Sequence, residues 1–335
     1  MRYTVIGAGA IGGTVGAHLA RGGESVLLVD RDLDHVRAMR DRGLTIRGFA
    51  ETFTVPVEAT TPDSLPDSLE VVLLAVKAPG TEEAVRSFVD RLAPDGCVVS
   101  LQNGLNEQVI SRIVGADRTV GAFVNFSADY LEPGLIHFAG RGTFVIGELE
   151  GSMSPRVQDL QRALGHWGTV QVTDNIWGYL WGKQAYGAML FATALTNDSM
   201  ADAIDAHRSV MVALAREVLQ VAGALGIHPI GFDGFEPESI DSSETSVLSA
   251  SLDRLIAVRR GDEKTHSGVW RDLAVRKRRT EVDAHFVPIV QEANRLGLEV
   301  PLLERMIGMI HDIEEGRRVF GASNLDELAR VAQVA

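Results

Sequence analysis

Residues 1–12 read Met-Arg-Tyr-Thr-Val-Ile-Gly-Ala-Gly-Ala-Ile-Gly, a short apolar strand pattern that runs directly into Gly-x-Gly-x-x-Gly over residues 7–12. A helix pattern over residues 11–21 and a second strand pattern over residues 25–29 follow. This is the order of a βαβ unit that binds a dinucleotide, in which the glycine motif joins the strand to the helix. The stretch therefore predicts both the fold of the N-terminal part and the class of its cofactor.

The three glycines of the motif are expected to have separate roles. Gly7 permits the tight turn out of the strand, Gly9 lets the backbone approach a pyrophosphate, and Gly12 lets the helix pack closely on the sheet. A glycine turn without a ligand is the alternative, which the surrounding βαβ order disfavours. The backbone N–H groups that would hold the phosphates belong to the loop Gly7, Ala8, Gly9, Ala10, Ile11 and Gly12.

The end of the second strand bears on the choice between NAD and NADP. Asp30 stands there, and a carboxylate at this place accepts hydrogen bonds from both adenosine ribose hydroxyls and repels a 2′-phosphate. Arg31 follows directly, and its guanidinium could instead pair with a 2′-phosphate. The position of the carboxylate favours NAD as the cofactor, with NADP as the alternative.

Composition limits the classes of partner. The chain has 335 residues, 45% apolar and 23% charged, with a net charge of -13 at pH 7. It has no apolar run of about 18 residues and no signal-peptide pattern, so we expect a cytoplasmic protein without a membrane partner. The negative charge disfavours nucleic acid as a partner. The single cysteine, Cys97, lies in an apolar run and provides neither a disulfide nor a thiolate metal cage, so we expect no metal.

The pattern changes near residue 173, and the length is typical of about two domains. Residues 1–173 alternate short β-branched runs with helix-period segments, which predicts an α/β domain with a doubly wound, Rossmann-type sheet. Within it, runs at 135–139 and 143–149 flank turn glycines and predict a hairpin. Residues 174–335 have apolar residues at spacings of three and four, which predicts an all-helical domain. We expect this second domain to serve for substrate binding and dimerisation.

Two polar residues follow neighbouring strands of the predicted sheet. Lys77 follows the strand pattern of residues 71–76, and Asn103 follows that of residues 97–100. Ligands of doubly wound sheets bind at the carboxyl ends of the strands, so both are candidates for cofactor contacts. Lys77 can donate to a ribose or phosphate oxygen, while Asn103 can donate and accept near the nicotinamide ribose or the substrate. A surface lysine and an ordinary Asn-Gly turn are the alternatives.

The helical half carries three candidate site residues. Lys183 lies among apolar and small residues, where burial would lower its pKa and suit it to protonate a carbonyl oxygen. A lysine that extends to solvent from a half-buried helix is the alternative. Glu281 begins a later helix and could hydrogen-bond Lys183 or a cofactor hydroxyl, or only complement the helix dipole. Ser267 could donate to a substrate carboxylate or face solvent.

Five short motifs occur in an order that resembles the ketopantoate reductase family. They are the glycine motif, Val-Lys ending at Lys77, Gln-Asn-Gly at residues 102–104, Trp-x-Lys ending at Lys183, and Thr-Glu-Val-Asp at residues 280–283. The resemblance spans nearly the whole chain, and the order and spacing of the motifs make it specific. It implies a two-domain reductase of a 2-oxo acid that uses a nicotinamide cofactor.

The resemblance also implies roles for individual residues. Lys183 matches the lysine that protonates the 2-keto group, and Glu281 matches the glutamate that binds substrate or cofactor and supports that lysine. Asn103 matches the asparagine beside the nicotinamide, where it is also a candidate substrate contact.

The chain departs from the family's pattern at the substrate-binding positions. The family carries asparagines four and eight residues after the lysine, where this chain has Gly187 and Phe191. These residues predict a roomier, more apolar pocket, and hence a 2-oxo acid other than ketopantoate with an apolar or larger side group. The segment 266–273 also shows an apparent one-residue change in spacing. Asp30 departs as well, because better known members prefer NADP and lack a carboxylate there.

The sequence therefore predicts an NAD(P)-dependent oxidoreductase that acts on a CH–OH group and transfers a hydride to a 2-oxo acid. We expect a homodimer with a small-molecule substrate. One alternative is a 3-hydroxy-acid or opine-type dehydrogenase, and another is a dinucleotide-sensing protein without turnover. The joint presence of Asn103, Lys183 and Glu281 favours an enzyme.

Overall fold

The chain folds as two units in a computed structural model that describes residues 1–261 and 264–334. The first unit is Met1–Ile176 and the second is Trp177–Ala335. The sequence places this boundary three residues earlier. Ile176 belongs to the first unit because its side chain packs on glycines of the sheet: a β-carbon added at Gly121 would lie 2.8 Å from it.

The strands of the first unit form two sheets. In chain order the strands are β1 (Arg2–Ile6), β2 (Ser25–Val29), β3 (Leu44–Gly48), β4 (Thr52–Val55), β5 (Glu58–Thr60), β6 (Leu69–Leu74), β7 (Leu92–Ser100), β8 (Thr119–Val124), β9 (Ser127–Glu132), β10 (Leu135–Gly140), β11 (Phe144–Glu148) and β12 (Gln171–Val172). The helices of this unit are α1 (Ala10–Arg21), α2 (Leu33–Arg42), α3 (Thr81–Phe88), α4 (Glu107–Val114) and α5 (Pro155–Leu164).

The main sheet has the strand order β12-β11-β8-β7-β6-β1-β2-β5. All neighbours are parallel except β8 and β11, which confirms the predicted doubly wound α/β sheet. The antiparallel pair lies near one edge of the sheet. From β1 the chain adds β2 and β5 on one side, then β6, β7 and β8 on the other. The carboxyl ends of β1 and β6 therefore border the crevice in which such sheets bind their ligands.

A second sheet, of order β4-β3-β10-β9, was not predicted. The predicted hairpin is wrong, because β10 pairs with β3 and β9 whereas β11 pairs with β8 and β12 in the main sheet. The buried residue Ile136 of β10 packs on α1, where a β-carbon on Gly13 would collide with its side chain. The turn glycines between the two strands allow a change of direction, but burial of β10 against α1 determines its partners.

The described part of the second unit is built from helices, which confirms the predicted helical domain. They are α6 (Ile176–Thr193), α7 (Met200–Ala206), α8 (Arg208–Ala224), α9 (Pro237–Asp241), α10 (Thr245–Gly261), α11 (Gly268–Trp270), α12 (Val282–Leu296), α13 (Pro301–Glu314) and α14 (Ala322–Val334). The sequence pattern did not predict α7, α9, α11 or α14. Within residues 1–261 and 264–334, no helix is both long and apolar enough to cross a membrane.

A π-helical turn at Arg271–Val275 follows α11. The backbone N–H of Arg276 donates to the carbonyl of Arg271 at 2.9 Å, five residues back. A π turn holds one more residue than an α turn. It therefore provides a structural explanation for the one-residue change in spacing seen in this segment of the sequence.

Candidate functional site

The glycine loop leaves β1 with its backbone turned toward the neighbouring strand. Gly7 has φ of 95°, a conformation that favours glycine. The N–H groups of Gly7 and Ala8 donate to the carbonyl of Val29 at 2.9 and 3.1 Å. Gly9 is the N-cap residue of α1, and a β-carbon added there would have no heavy atom within 4 Å. The N–H groups of the first turn of α1 thus begin beside open space, which suits them to bind phosphate.

Close packing around Gly12 holds the start of α1 against the ends of the strands. A β-carbon at Gly12 would collide with the carbonyl oxygen of Gly7 and lie 2.8 Å from the β-carbon of Ala75. A larger residue would therefore push α1 away from β1 and β6. The absence of a side chain at Gly12 therefore lets the amino end of α1 lie at the crevice of the main sheet.

Asp30 lies half-buried at the carboxyl end of β2. Its Oδ1 accepts the backbone N–H of Asp32 at 3.0 Å. Asp32 in turn caps α2, and the N–H of His35 lowers the pKa of this second carboxyl. Arg31 is exposed between the two carboxylates. Arg31 thus has a carboxylate on each side, and the sequence reasoning gave Asp32 no part in the cofactor site.

The loops that carry Lys77 and Asn103 are joined by a buried network. Gln102 Nε2 donates to the carbonyl of Val76 at 2.8 Å and to Thr81 Oγ1 at 2.7 Å. Asn106 Nδ2 donates to the carbonyl of Asn103 at 2.6 Å. The side chains of Lys77 and Asn103 are both exposed at the ends of β6 and β7. The structure thus places the two predicted residues on neighbouring loops that are fixed to each other.

Thr81 completes this network. Its hydroxyl lies 3.0 Å from Asn106 Oδ1 and 2.8 Å from the carbonyl of Ala78. Sequence reasoning gave Gln102 no role beyond its place in the Gln-Asn-Gly motif, and it missed Thr81 and Asn106. The available signal was the position of Gln102 directly before Asn103, at the buried end of a strand.

In the second unit, Lys183 lies on a half-buried face of α6. Tyr179, Lys183, Gly187 and Leu190 share this face at helical spacing, and each is intermediate in exposure. The adjoining Trp181 is 1% exposed and packs in the interior. Lys183 thus lies at the border between the core and an accessible surface.

Gln184 and His285 join α6 to α12. Gln184 Nε2 donates to the backbone carbonyl of His285 at 2.8 Å, and His285 Nδ1 lies 3.0 Å from Gln184 Oε1. Both side chains are buried. Lys183 immediately precedes Gln184, and Glu281 lies one turn before His285. The pair therefore brings together the two segments that carry the predicted catalytic residues. The sequence reasoning missed the Gln184–His285 pair. The available signal was a glutamine next to Lys183 on a buried helix face.

Gly187 and Phe191 lie against α12 on the same side. A β-carbon at Gly187 would be 3.8 Å from Phe286 Cζ, an ordinary contact distance. The Phe191 ring is 5% exposed and meets Phe286 edge-on at 4.9 Å and His285 at 5.0 Å between centroids. Phe191 and Phe286 therefore form an apolar wall, and a β-carbon at Gly187 would fit beside Phe286 without a collision.

Glu281 and Ser267 have local structural roles in the second unit. Glu281 is the half-buried N-cap residue of α12, and its carbonyl accepts the N–H of His285 at 3.1 Å. Ser267 is buried and its hydroxyl oxygen accepts the N–H of Trp270 at 3.2 Å. Its proton can still be donated. Across the described residues, His, Cys, Asp and Glu form no group of three or more that could hold a metal ion.

Family models match both halves of the chain. The model described as Ketopantoate reductase PanE/ApbA matches residues 3–151, and Ketopantoate reductase PanE/ApbA C terminal matches residues 175–314. A 2-dehydropantoate 2-reductase of Pyrococcus horikoshii is 30% identical over 309 residues, which cover 90% of this chain and 94% of the relative.

Solved structures share the fold. A PanE/ApbA family ketopantoate reductase from Ralstonia eutropha is 26% identical with a TM-score of 0.79, covering 95% of this chain and 99% of its own. D-mandelate dehydrogenase, solved with NADH and anilino(oxo)acetate, has a TM-score of 0.81 at 20% identity, covering 94% of this chain and 99% of its own. At that identity the likeness concerns the fold.

Proposed function

The chain belongs to the ketopantoate reductase family and is an oxidoreductase that acts on a CH–OH group, and we propose that it reduces a 2-oxo acid with NADH. The observation that carries the proposal is the position of Lys183 on α6, at the border between the core and an accessible surface. It directly precedes Gln184, whose hydrogen bonds with His285 join α6 to α12. A carbonyl reductase needs a proton donor in such a position.

The preference for NADH is proposed from Asp30. Its Oδ1 accepts the N–H of Asp32, and the remaining acceptor positions suit ribose hydroxyls. A 2′-phosphate here would meet the charges of Asp30 and Asp32, which outweigh the single exposed Arg31. A bound reduced nicotinamide supplies the hydride that the carbonyl carbon receives.

The protein's own part in the reaction is to place the carbonyl and supply a proton. In our proposal Lys183 donates a proton to the carbonyl oxygen as negative charge develops on it. Glu281, at the start of α12, holds Lys183 in place and binds substrate or cofactor. Asn103, at the end of β7, orients the nicotinamide side of the cofactor or the substrate.

The proposed substrate has a larger or more apolar side group than ketopantoate. Gly187 leaves room in front of Phe286, and the ring of Phe191 forms part of the same wall. Apolar rings at this place bind an apolar substrate group favourably, because its surface is removed from water, and they provide no hydrogen-bond partner for a substrate hydroxyl.

Absorbance of the reduced cofactor tests the proposal. NADH oxidation should require an added 2-oxo acid and should be faster with phenylglyoxylate or a branched-chain 2-oxo acid than with ketopantoate. Preferential turnover of ketopantoate would contradict the substrate class. Turnover of a 3-oxo acid, or of a 2-oxo acid only with an added amine, would indicate the 3-hydroxy-acid or opine-type alternative, and cofactor binding without turnover would indicate a sensing protein.

A further inference from the structure

His35 connects the glycine loop to the second sheet. It lies on α2 and is fully buried, at 0% exposure. Its Nε2 is 2.9 Å from the carbonyl oxygen of Ala8, in the loop. Its Nδ1 accepts the backbone N–H of Gly134, in the turn between β9 and β10, at 2.9 Å. Tyr130 packs edge-on against the ring at 5.0 Å between centroids.

These two contacts determine the tautomer of His35. The N–H of Gly134 can only donate, so Nδ1 must accept and carry no proton. The carbonyl of Ala8 can only accept, so the proton of the neutral ring is on Nε2. The imidazole therefore acts as a bridge with one donor and one acceptor, each used by a backbone group.

The contact with Ala8 also orients the next N–H group. The peptide bond between Ala8 and Gly9 is trans, so the Ala8 carbonyl and the Gly9 N–H point in opposite directions. Because His35 holds the carbonyl, the Gly9 N–H points away from His35, to the opposite side of the C–N bond. The N–H groups of Gly7 and Ala8 already donate to Val29, so Gly9 has the first loop donor that a phosphate can use.

We propose that His35 is a positioning residue for the dinucleotide, which orients and polarises the Gly9 N–H toward the pyrophosphate. A hydrogen bond on the carbonyl side of a peptide strengthens the donor on its other side. This inference rests on the dinucleotide site of the proposed function, but it is independent of Asp30. It therefore applies equally to NADH and NADPH, since both carry the same pyrophosphate.

Two substitutions separate the two contacts of the ring. His35→Gln places an amide N–H near the position of Nε2 and retains the bond to Ala8. His35→Asn places a carbonyl oxygen near the position of Nδ1 and retains the bond from Gly134, but cannot reach Ala8. The Kd of NADH would be measured for the full-length protein and both variants, with Tm as the measure of stability.

The expected result is a difference between the two variants that stability does not explain. His35→Asn should raise the Kd of NADH about tenfold, while His35→Gln should keep most of the affinity, although each loses one buried hydrogen bond and some Tm. Equal affinities in the two variants, or a greater loss in His35→Gln, would overturn the proposal.

A measurement on the unmodified protein covers the case in which neither variant folds. Imidazole ¹⁵N NMR should show a protonated Nε2 and an unprotonated Nδ1 in His35, with the Nε2–H resonance moving when NADH is added. A His35 resonance that stays unchanged at saturating NADH would overturn the proposal. Failure of the unmodified protein to bind NADH and NADPH would instead refute the dinucleotide site itself.

Discussion

Gln184 and His285 hold each other through two reciprocal hydrogen bonds, from Gln184 Nε2 to the His285 carbonyl at 2.8 Å and between His285 Nδ1 and Gln184 Oε1 at 3.0 Å. The first bond fixes the orientation of the amide, because only its nitrogen can donate to a carbonyl. The second bond then requires a proton on His285 Nδ1. The pair thus sets the relation between α6, which carries Lys183, and α12, which Glu281 precedes.

Gln184→Leu should lower the free energy of unfolding by about 2 to 4 kcal/mol, because it leaves two buried polar groups of His285 without these partners. It should also lower kcat, since Lys183 and Glu281 lose their common support. Urea denaturation and steady-state assays measure both effects. Gln184→Glu keeps an acceptor for His285 Nδ1 but loses the donor to the His285 carbonyl, so it should also lower stability. A leucine variant with unchanged stability would show that the pair contributes little.

Asp30→Ser should raise the KM of NADH about tenfold, because it removes a charged acceptor for the ribose hydroxyls. The same change should raise kcat/KM with NADPH, because it removes a charge that repels the 2′-phosphate. Arg31→Ala is the matched control and should impair NADPH more than NADH. The measurement is the ratio of kcat/KM for the two cofactors. A ratio that Asp30→Ser leaves unchanged would exclude Asp30 from cofactor selection.

Gly187→Asn should fold and shift specificity toward ketopantoate. The new β-carbon meets Phe286 only at an ordinary 3.8 Å, and the amide supplies a polar group where the wall is apolar. We expect the ratio of kcat/KM for ketopantoate to that for phenylglyoxylate to rise about tenfold. Assays with both substrates measure the ratio. If it does not change, Gly187 does not face the substrate.

Gly182 on the same helix provides a control for the effect of filling space. A β-carbon there would collide with the carbonyl oxygen of Ile230. Gly182→Ala should therefore lower the free energy of unfolding by about 1 to 3 kcal/mol. Gly187→Ala should be neutral or stabilising, because alanine is the better helix former. Thermal denaturation of the two variants separates the open position from the closed one.

Glu217 should make stability fall as pH rises. Its buried carboxyl on α8 accepts the N–H groups of Leu302 and Leu303 at 2.9 and 2.8 Å, at the start of α13. Burial raises the pKa of Glu217 from 4.5 to about 7. The folded state thus binds this proton more tightly than the unfolded state, and the stabilisation is complete below the unfolded pKa and is lost as pH rises through about 7.

The difference between the unfolded and folded pKa values of Glu217 corresponds to about 3 kcal/mol in the free energy of unfolding. Urea denaturation across this pH range should show the decline in the unmodified protein, and Glu217→Gln should remove that component because its amide does not titrate. Parallel pH profiles for the two proteins would contradict the assignment.

Much of the first unit was predictable because its signals are local. The glycine motif, the strand that precedes it and Asp30 lie within one βαβ unit, and their spacing is enough to predict the sheet and its cofactor edge. The second sheet has no such signal. It pairs β3 with β10, some ninety residues apart in the chain, and local patterns cannot select a partner at that distance.

The candidate site could be predicted from the sequence only for residues whose side-chain type suggests a chemical role. Lys183 is notable in sequence because a lysine stands among apolar neighbours. Gln184 and His285 hydrogen-bond each other, and the hydroxyl of Thr81 joins two loops. Both interactions connect residues far apart in the chain, so local sequence patterns do not predict them. Ser267 shows the converse, since a serine that suggests a substrate donor also serves as a helix cap.

Lys183→Ala tests whether Lys183 is the proton donor. If Lys183 is the proton donor, kcat with the best 2-oxo acid should fall about 10²- to 10⁴-fold, while the Kd of NADH stays near that of the unmodified protein. Lys277→Ala, which removes an exposed lysine elsewhere in the second unit, should keep full activity. A loss of less than about tenfold in kcat would show that Lys183 is not the proton donor.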